Sequence, residues 1–472
     1  MIRTELLALL PGLLAWWVAV GWSVEAAFLG VYLPVLMLVP DFFRYPIEGL
    51  PDPTLSQAAI LPIGFAVCWK AIFQKKWTFT VLDGAVFTYL AWQLFSDFNT
   101  VGFIDAQNLM FEILTYSLFP YVCGKALIES SGMRVAFARR FVWLLFVVCL
   151  ISIYEFRMGT SLFRPILSPF FPGQDSGWFT QMRWGFGRIA GPYGHAILMG
   201  CIISIGLLLC FWLAQSRLWE KDFKVLGHVH FSKQQLILAG LLLAMVMTLS
   251  RGPWLGGVCG LLLATVGWSA NMRWALKRNL MMLALVGVLV YSGGKAYLDN
   301  SAPPTDHLNT GLAAINSTEV EQSTNYRAQL FDKYLEVVMQ RPIGGWGRAN
   351  WPQVAGMASI DNNYLFIALN SGLVGVGLFL LMLIVASARL LLSGFSAEHE
   401  ETSERAFHFT LLGAIVAVGV TIVSVFMGSQ LAPLLFLVLG WADACTIGEL
   451  ARAKTIGVDQ ESNAYDMVGV VA

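Results

Sequence analysis

Apolar segments alternate with short polar ones along almost the whole chain. Runs dense in Leu, Val, Ile and Phe occupy 5–20, 24–39, 56–73, 79–95, 108–124 and 141–156. They recur at 189–213, 234–249, 252–269, 279–294, 364–392, 407–426 and 431–447. These runs approach the roughly 20 residues that cross a hydrocarbon core. They predict an all-α, polytopic membrane protein of 12 or 13 transmembrane helices, the first pair being the open point. The organisation that follows is N-terminal spans over 1–156, an external arginine-rich loop over 157–188 and central spans over 189–294. A long external loop (295–363), C-terminal spans (364–447) and a polar tail (448–472) complete it.

Inside the long loop, Pro303 and Pro304 interrupt the chain, and NYRAQLFDKYLEVVMQ then repeats at helical spacing. Tyr326, Leu330, Tyr334, Val337 and Val338 share one face. The pattern predicts a short amphipathic helix that lies on the membrane or caps the spans. RPIGGWGRANW ends it, because proline and the glycines do not continue a helix.

Composition agrees with the pattern: 57% of the 472 residues are apolar and 13% charged, against about 25% charged in a soluble domain. The first residues, MIRTELLALLPGLLAWWVAV, have the charged and apolar regions of a signal peptide, but with so many spans following, a retained first helix is expected. All seven cysteines fall in or beside apolar runs, with no metal-ligand spacing. HExxH, Cys/His quartets and the GxxxxGK phosphate loop are missing, so neither a metal nor another cofactor is expected. Nothing supports nucleic-acid binding; the expected surroundings are the lipid bilayer.

Charge changes the picture through its distribution. One alternating set of loops carries Lys70, Lys75, Lys76, Lys125, Arg134, Arg139, Arg140 and Arg217. The same set continues through Arg273, Lys277, Arg278, Arg389 and Arg405 to Arg452 and Lys454. Basic loops face the cytoplasm, which puts the C-terminus there. On the other side the cations crowd into three places: Arg157, Arg164, Arg183 and Arg188; Arg251 alone; and Lys295, Arg327, Lys333, Arg341 and Arg348.

Arg251 lies in TLSRGPWLGG, a two-residue polar break between apolar runs. A charge at membrane depth costs roughly 2.5–3.5 kcal/mol and marks function. Arg183 and Arg188 bracket the turn WGFG, with Asp175 the loop's lone acid. Guanidinium groups match phosphate oxygens and stay charged; Trp184 offers a ring for a sugar or the headgroup level. These arginines bind lipid headgroups, pair with loop acids such as Glu319 and Glu321, or together hold a diphosphate. In SIDNNYL, Asp361, Asn362 and Asn363 precede a span, and capping needs only one of them. A substrate role for Asp361 therefore stands beside simple capping. His195, just after GPYG, is either a satisfied polar group or part of a site, and His307 is the other external histidine.

SRGPWLG, RWGFGRIAGPYGH, NYR, RPIGGWG and DNNYL, in this order over 183–377, resemble the O-antigen ligase/O-antigen polymerase family of bacterial inner-membrane glycosyltransferases. The resemblance implies a metal-independent, inverting transferase acting at the periplasmic face on a glycan carried by undecaprenyl diphosphate. It implies diphosphate-holding roles for Arg183, Arg188, Arg251 and Arg327; Asp361 and His195 are the candidate catalytic residues. Trp184, Arg341, Asn362, Asn363 and Tyr364 are the candidate glycan contacts. In the ligases a histidine commonly stands where this chain has Asp361, which leaves lipid A core or a second lipid-linked glycan open as acceptor. A transporter or flippase for a lipid-linked or anionic precursor is the competing expectation; no paired inverted repeats favour it.

Overall fold

The computed structural model describes residues 5–41, 43–44, 51–74, 77–171, 173–174, 179–219, 223–225, 229–300, 319–348, 350–357, 359–396 and 402–447. Asp175, His307, the Pro303–Pro304 break and the tail over 448–472 lie outside them. The protein is an all-α, polytopic membrane protein, and a helix forms within each of the thirteen expected apolar runs. The N-terminal helices are α1 (Glu5–Gly21), α2 (Val24–Leu38), α3 (Leu55–Phe73), α4 (Val81–Val101), α5 (103–128) and α6 (Arg134–Met158). A hairpin, β1 (Met182–Arg183) and β2 (Phe186–Gly187), precedes α7 (Ala196–Gln215). A second hairpin, β3 (Phe223–Val225) and β4 (Val229–Phe231), leads into α8 (Lys233–Met247), α9 (Arg251–Val266) and α10 (Met272–Asn300). Then follow α11 (Glu319–Gln340), α12 (Asn363–Ser396), α13 (Thr402–Thr421) and α14 (Gly428–Ile447).

Among the described residues, α3, α6, α7, α12, α13 and α14 are each long and apolar enough to span a membrane. Burial sorts them. The most apolar windows of α7, α14 and α13 are 89%, 83% and 78% buried, against 33–50% for α3, α6 and α12. The first three therefore form the centre, and the others turn apolar side chains such as Phe65 and Trp69 outward toward lipid.

α9 and α13 meet through small residues. Gly252, Gly256 and Gly260 recur every four residues along α9, and a Cβ on Gly256 would come within 2.5 Å of the Ala417 carbonyl oxygen. On α13, Gly413 meets Gly260 in the same way. Small residues at this spacing let two backbones approach, which replaces the hydrophobic drive that lipid removes. At the opposite end of α12, buried Lys125 lies between Asp83 (2.5 Å) and Asp443 (2.7 Å), and Arg389 reaches Asp443 at 3.0 Å. Pairing of this kind offsets the desolvation of charges inside a helix bundle.

Three spans differ from expectation. The run 189–213 becomes helical only at Ala196, because Gly191 and Gly194 take left-handed φ around Pro192. The run 407–426 stops at Thr421, leaving a turn at 422–427. The run 364–392 is broken at Gly372 (φ 70°, ψ −175°). There RPIGGWG docks: Trp346 N–H donates to the Leu369 carbonyl (2.8 Å), Gly347 N–H to Asn370 (2.9 Å), and Leu373 N–H to Pro342 (2.7 Å). The loop thus restores backbone bonds that the break removes, as burial requires. α11 caps the spans rather than lying flat on the bilayer: Leu330, Tyr334, Val337 and Val338 pack against Met357, Ile360, Leu365 and Leu369.

A side chain at Gly256 forces α9 away from α13. Gly256→Leu is expected to cost about 1–3 kcal/mol or more, read as a lowered melting temperature in detergent. Gly377→Ala, where nothing lies within 4 Å, leaves it unchanged or slightly raised.

Candidate functional site

The break between α8 and α9 is the organising element. α8 ends at Met247 with Thr248 as its C-cap, and Leu249 adopts φ 48°, a left-handed conformation unusual for a branched residue. The turn exposes the last carbonyls of α8, which no longer have helical partners. The β1–β2 hairpin closes on them. Its two central residues, Trp184 (φ 51°) and Gly185 (φ 79°), both take positive φ, as a tight hairpin turn requires. Arg183 donates to the Leu249 carbonyl at 2.6 Å. Arg188, only 8% exposed, donates through Nε to the Thr248 carbonyl (3.2 Å) and through its terminal nitrogens to Ser250 Oγ (2.7 Å) and Gln181 Oε1 (2.5 Å). Arg251 opens α9 directly after this turn.

Behind the hairpin, buried Glu155 on α6 accepts from Thr180 Oγ1 (2.7 Å) and from the N–H groups of Ala190 (3.0 Å) and Gly191 (2.9 Å). It therefore fixes both ends of the segment that carries the two arginines.

These elements enclose a cavity of about 260 Å³. Arg183, Arg188, Arg251 and Arg327 all line it, together with His195 and Asp361. Gln181, Ile197, Ser250, Gly252 and Ser424 complete the wall. Three chain segments far apart in sequence thus deliver four guanidinium groups to one place, with Asp361 the one carboxylate among the described lining residues. Arg327 Nε is buried without a hydrogen-bond partner among the described residues. Helix α9 begins at the cavity wall, α7 begins immediately after His195, and α12 begins two residues after Asp361. Helix N-termini carry partial positive charge and favour anions. The arrangement gathers basic side chains and helix N-termini around one cavity.

His195 is the N-cap of α7, its Nδ1 accepting from the Ile197 N–H at 3.2 Å. Burial, followed by the charges of Arg188 and Arg327, pushes its pKa down to about 4, with Asp361 opposing. The ring is therefore neutral near pH 7, and because Nδ1 accepts, the proton resides on Nε2. His195 is a hydrogen-bond donor in this geometry, not a proton acceptor. Asp361 accepts from Ser359 Oγ at 2.6 Å and lines the cavity.

The five candidate glycan contacts are outside this lining. Trp184 is at the exposed hairpin tip. Arg341 stacks on Trp346, 4.3 Å from the ring centre. Asn362 caps α12, accepting from Tyr364 N–H (2.9 Å) and Leu365 N–H (3.1 Å). Tyr364 donates to the Gly419 carbonyl at 2.9 Å. Asn363 accepts from Met427 N–H (3.2 Å) and lines a neighbouring cavity. Sequence reasoning missed Gln181, Ser424 and Glu155. A lone acid within an apolar helix was the available signal for Glu155; Ser424 carried none.

The family model for O-antigen ligase matches residues 236–380. Over these residues the chain is similar to the O-antigen ligase family. The match takes in α8, α9, α11 and the kink of α12, hence Arg251, Arg327 and Asp361. The hairpin arginines and His195 precede it and join the ligase-domain residues only through the cavity. A search of curated proteins finds no match. The similarity supports a function of the O-antigen ligase and polymerase type in a multi-pass membrane protein.

Glu155→Ala leaves two buried N–H groups and a hydroxyl unsatisfied, at about 1–3 kcal/mol each. The ligase-domain protein carrying it is expected to melt lower and to lose glycan transfer, although Glu155 does not line the cavity. Thermal unfolding in detergent and gel analysis of surface glycan check both.

Proposed function

We propose that the arginine cavity holds the diphosphate of an undecaprenyl-diphosphate-linked glycan at the periplasmic face, and that Asp361 receives the proton of an incoming sugar hydroxyl. The observation that carries this reading is the meeting of Arg183, Arg188, Arg251 and Arg327 around one cavity. Periplasmic placement rests on the basic loops of the other side, which also put the C-terminus in the cytoplasm.

The chemistry is a single displacement. The acceptor oxygen attacks the anomeric carbon as its proton passes to Asp361, and the bond from that carbon to the diphosphate oxygen breaks. One displacement inverts the anomeric centre. The leaving lipid diphosphate gains negative charge as the bond breaks, and cations already fixed in a partly dry site stabilise it without reorganising. His195 Nε2–H supplies a further neutral donor to the same oxygens. Four fixed guanidinium groups fill the role that a divalent metal has in other diphosphate sites, so a chelator is expected to leave the rate unchanged. The acceptor is lipid A core or a second lipid-linked glycan.

Two measurements test this. Arg251→Ala and Arg327→Ala each remove charged hydrogen bonds of about 1.5–3 kcal/mol, so binding of undecaprenyl diphosphate weakens roughly 10- to 100-fold. Asp361→Asn keeps that affinity within a few-fold while turnover falls about 10²- to 10⁴-fold. Wild-type affinity in both arginine variants, or precursor accumulating on the cytoplasmic face as a flippase defect would give, ends the proposal. Because His195 takes a proton only as pH falls through about 4, the kcat/KM profile is expected to lack a histidine limb near pH 6.5.

A further inference from the structure

A second cavity, of about 410 Å³, opens between α4, α5, α12 and the start of α14. Four residues of α12 line it in one stripe: Asn363, Phe366, Ile367 and Asn370. Their spacing of three, four and seven keeps them on a single helix face. Asn363 and Asn370 are 2% and 6% exposed. The Asn363 amide nitrogen and the Asn370 amide oxygen have no hydrogen-bond partner among the described residues. Leaving such groups unmatched costs about 1–3 kcal/mol each, so a buried donor and a buried acceptor both await a polar ligand. At 1.5 Å per residue they are about 10 Å apart along the helix, close to the length of a disaccharide.

The chemistry of the wall selects the ligand. Phe366 packs on Phe426 (ring centres 4.3 Å), and Tyr89 stacks with Phe436 (6.5 Å), which provides aromatic surface for an apolar C–H face. The cations here are already matched: Arg44 pairs with Glu112 at 2.9 Å, Arg348 pairs with the same carboxylate, and the Arg348 N–H donates to Asp97 at 3.2 Å. The first cavity is strongly cationic; this one suits a neutral, hydroxylated molecule with an apolar face.

The two cavities share a wall. Asp361 lines the first and Asn363 the second, and their Cα atoms lie within about 7 Å. Ser424 lines the first, and Phe426 and Met427 line the second. We propose that the second cavity is a sugar-binding site that seats the acceptor glycan and presents its hydroxyl across this wall to Asp361. The acceptor role rests on the donor reading above; the sugar site stands on the two unmatched amides and the aromatic wall.

The test uses the full chain in lipid nanodiscs and a methyl chitobioside bearing a diazirine. Photolabelling of the wild type is expected within 363–370 and 426–436, competed by unmodified methyl chitobioside, lactoside or maltoside. Asn370→Leu, which keeps the backbone contacts of that residue, and Ala432→Phe, which fills the cavity, each reduce labelling about fivefold or more while undecaprenyl diphosphate affinity stays at the wild-type level. Label absent from the wild type, confined to other peptides or displaced by phospholipid rather than by the saccharides overturns the proposal, whatever the fate of the variants. Loss of diphosphate binding in Arg251→Ala with labelling retained keeps the two sites separate. Labelling in the second cavity with no diphosphate binding by the wild type would leave the sugar site standing and remove the donor reading.

Discussion

Like charges repel, and four guanidinium groups around a cavity of about 260 Å³ form the constraint on which this end of the protein depends. The partners that hold Arg183 and Arg188 there include the carbonyls of Thr248 and Leu249, Ser250 Oγ and Gln181. These carbonyl, hydroxyl and amide oxygens fix where the two side chains lie. The break between α8 and α9 exists to provide those carbonyls, and the left-handed Leu249 is the strained residue that makes the break sharp.

Stiffness comes from elsewhere. Glu155 ties the hairpin segment to α6, and the glycine face of α9 locks Arg251's helix against α13. The interrupted α12 accepts the loop after α11 through three backbone bonds. That bonding carries α11, and with it Arg327, over the cavity. Three kinds of contact therefore place the four arginines: carbonyl clamps for Arg183 and Arg188, close helix packing for the helix of Arg251, and a docked loop over a broken helix for the helix of Arg327.

The same broken helix separates two environments of opposite character. On one side of 361–363 the wall is cationic, and on the other the cations Arg44 and Arg348 are matched by Glu112 and the wall is aromatic. A group-transfer enzyme needs such a division, because a leaving anion and an incoming neutral nucleophile require different surroundings within a few ångströms of one reacting carbon. Asp361 stands at the boundary.

The membrane class, the positions of the helices and the unusual clustering of arginines were legible in the chain, because bilayer thickness and the expense of charge in hydrocarbon act on local sequence. The motifs around Arg183, Arg251 and Arg327 pointed to the same face for that reason. Other features depended on the packing of distant segments. Asn362 and Tyr364 are neighbours of Asp361 in sequence, yet one caps a helix and the other bonds to Gly419, since side chains on a helix point in different directions. His195 reads equally as a satisfied polar group or a site residue until the Ile197 N–H is seen to occupy its Nδ1. Local pattern determined what could enter the membrane and where charge would gather; only the meeting of segments hundreds of residues apart decided which groups share a cavity, because proximity in space is set by helix packing and not by spacing along the chain.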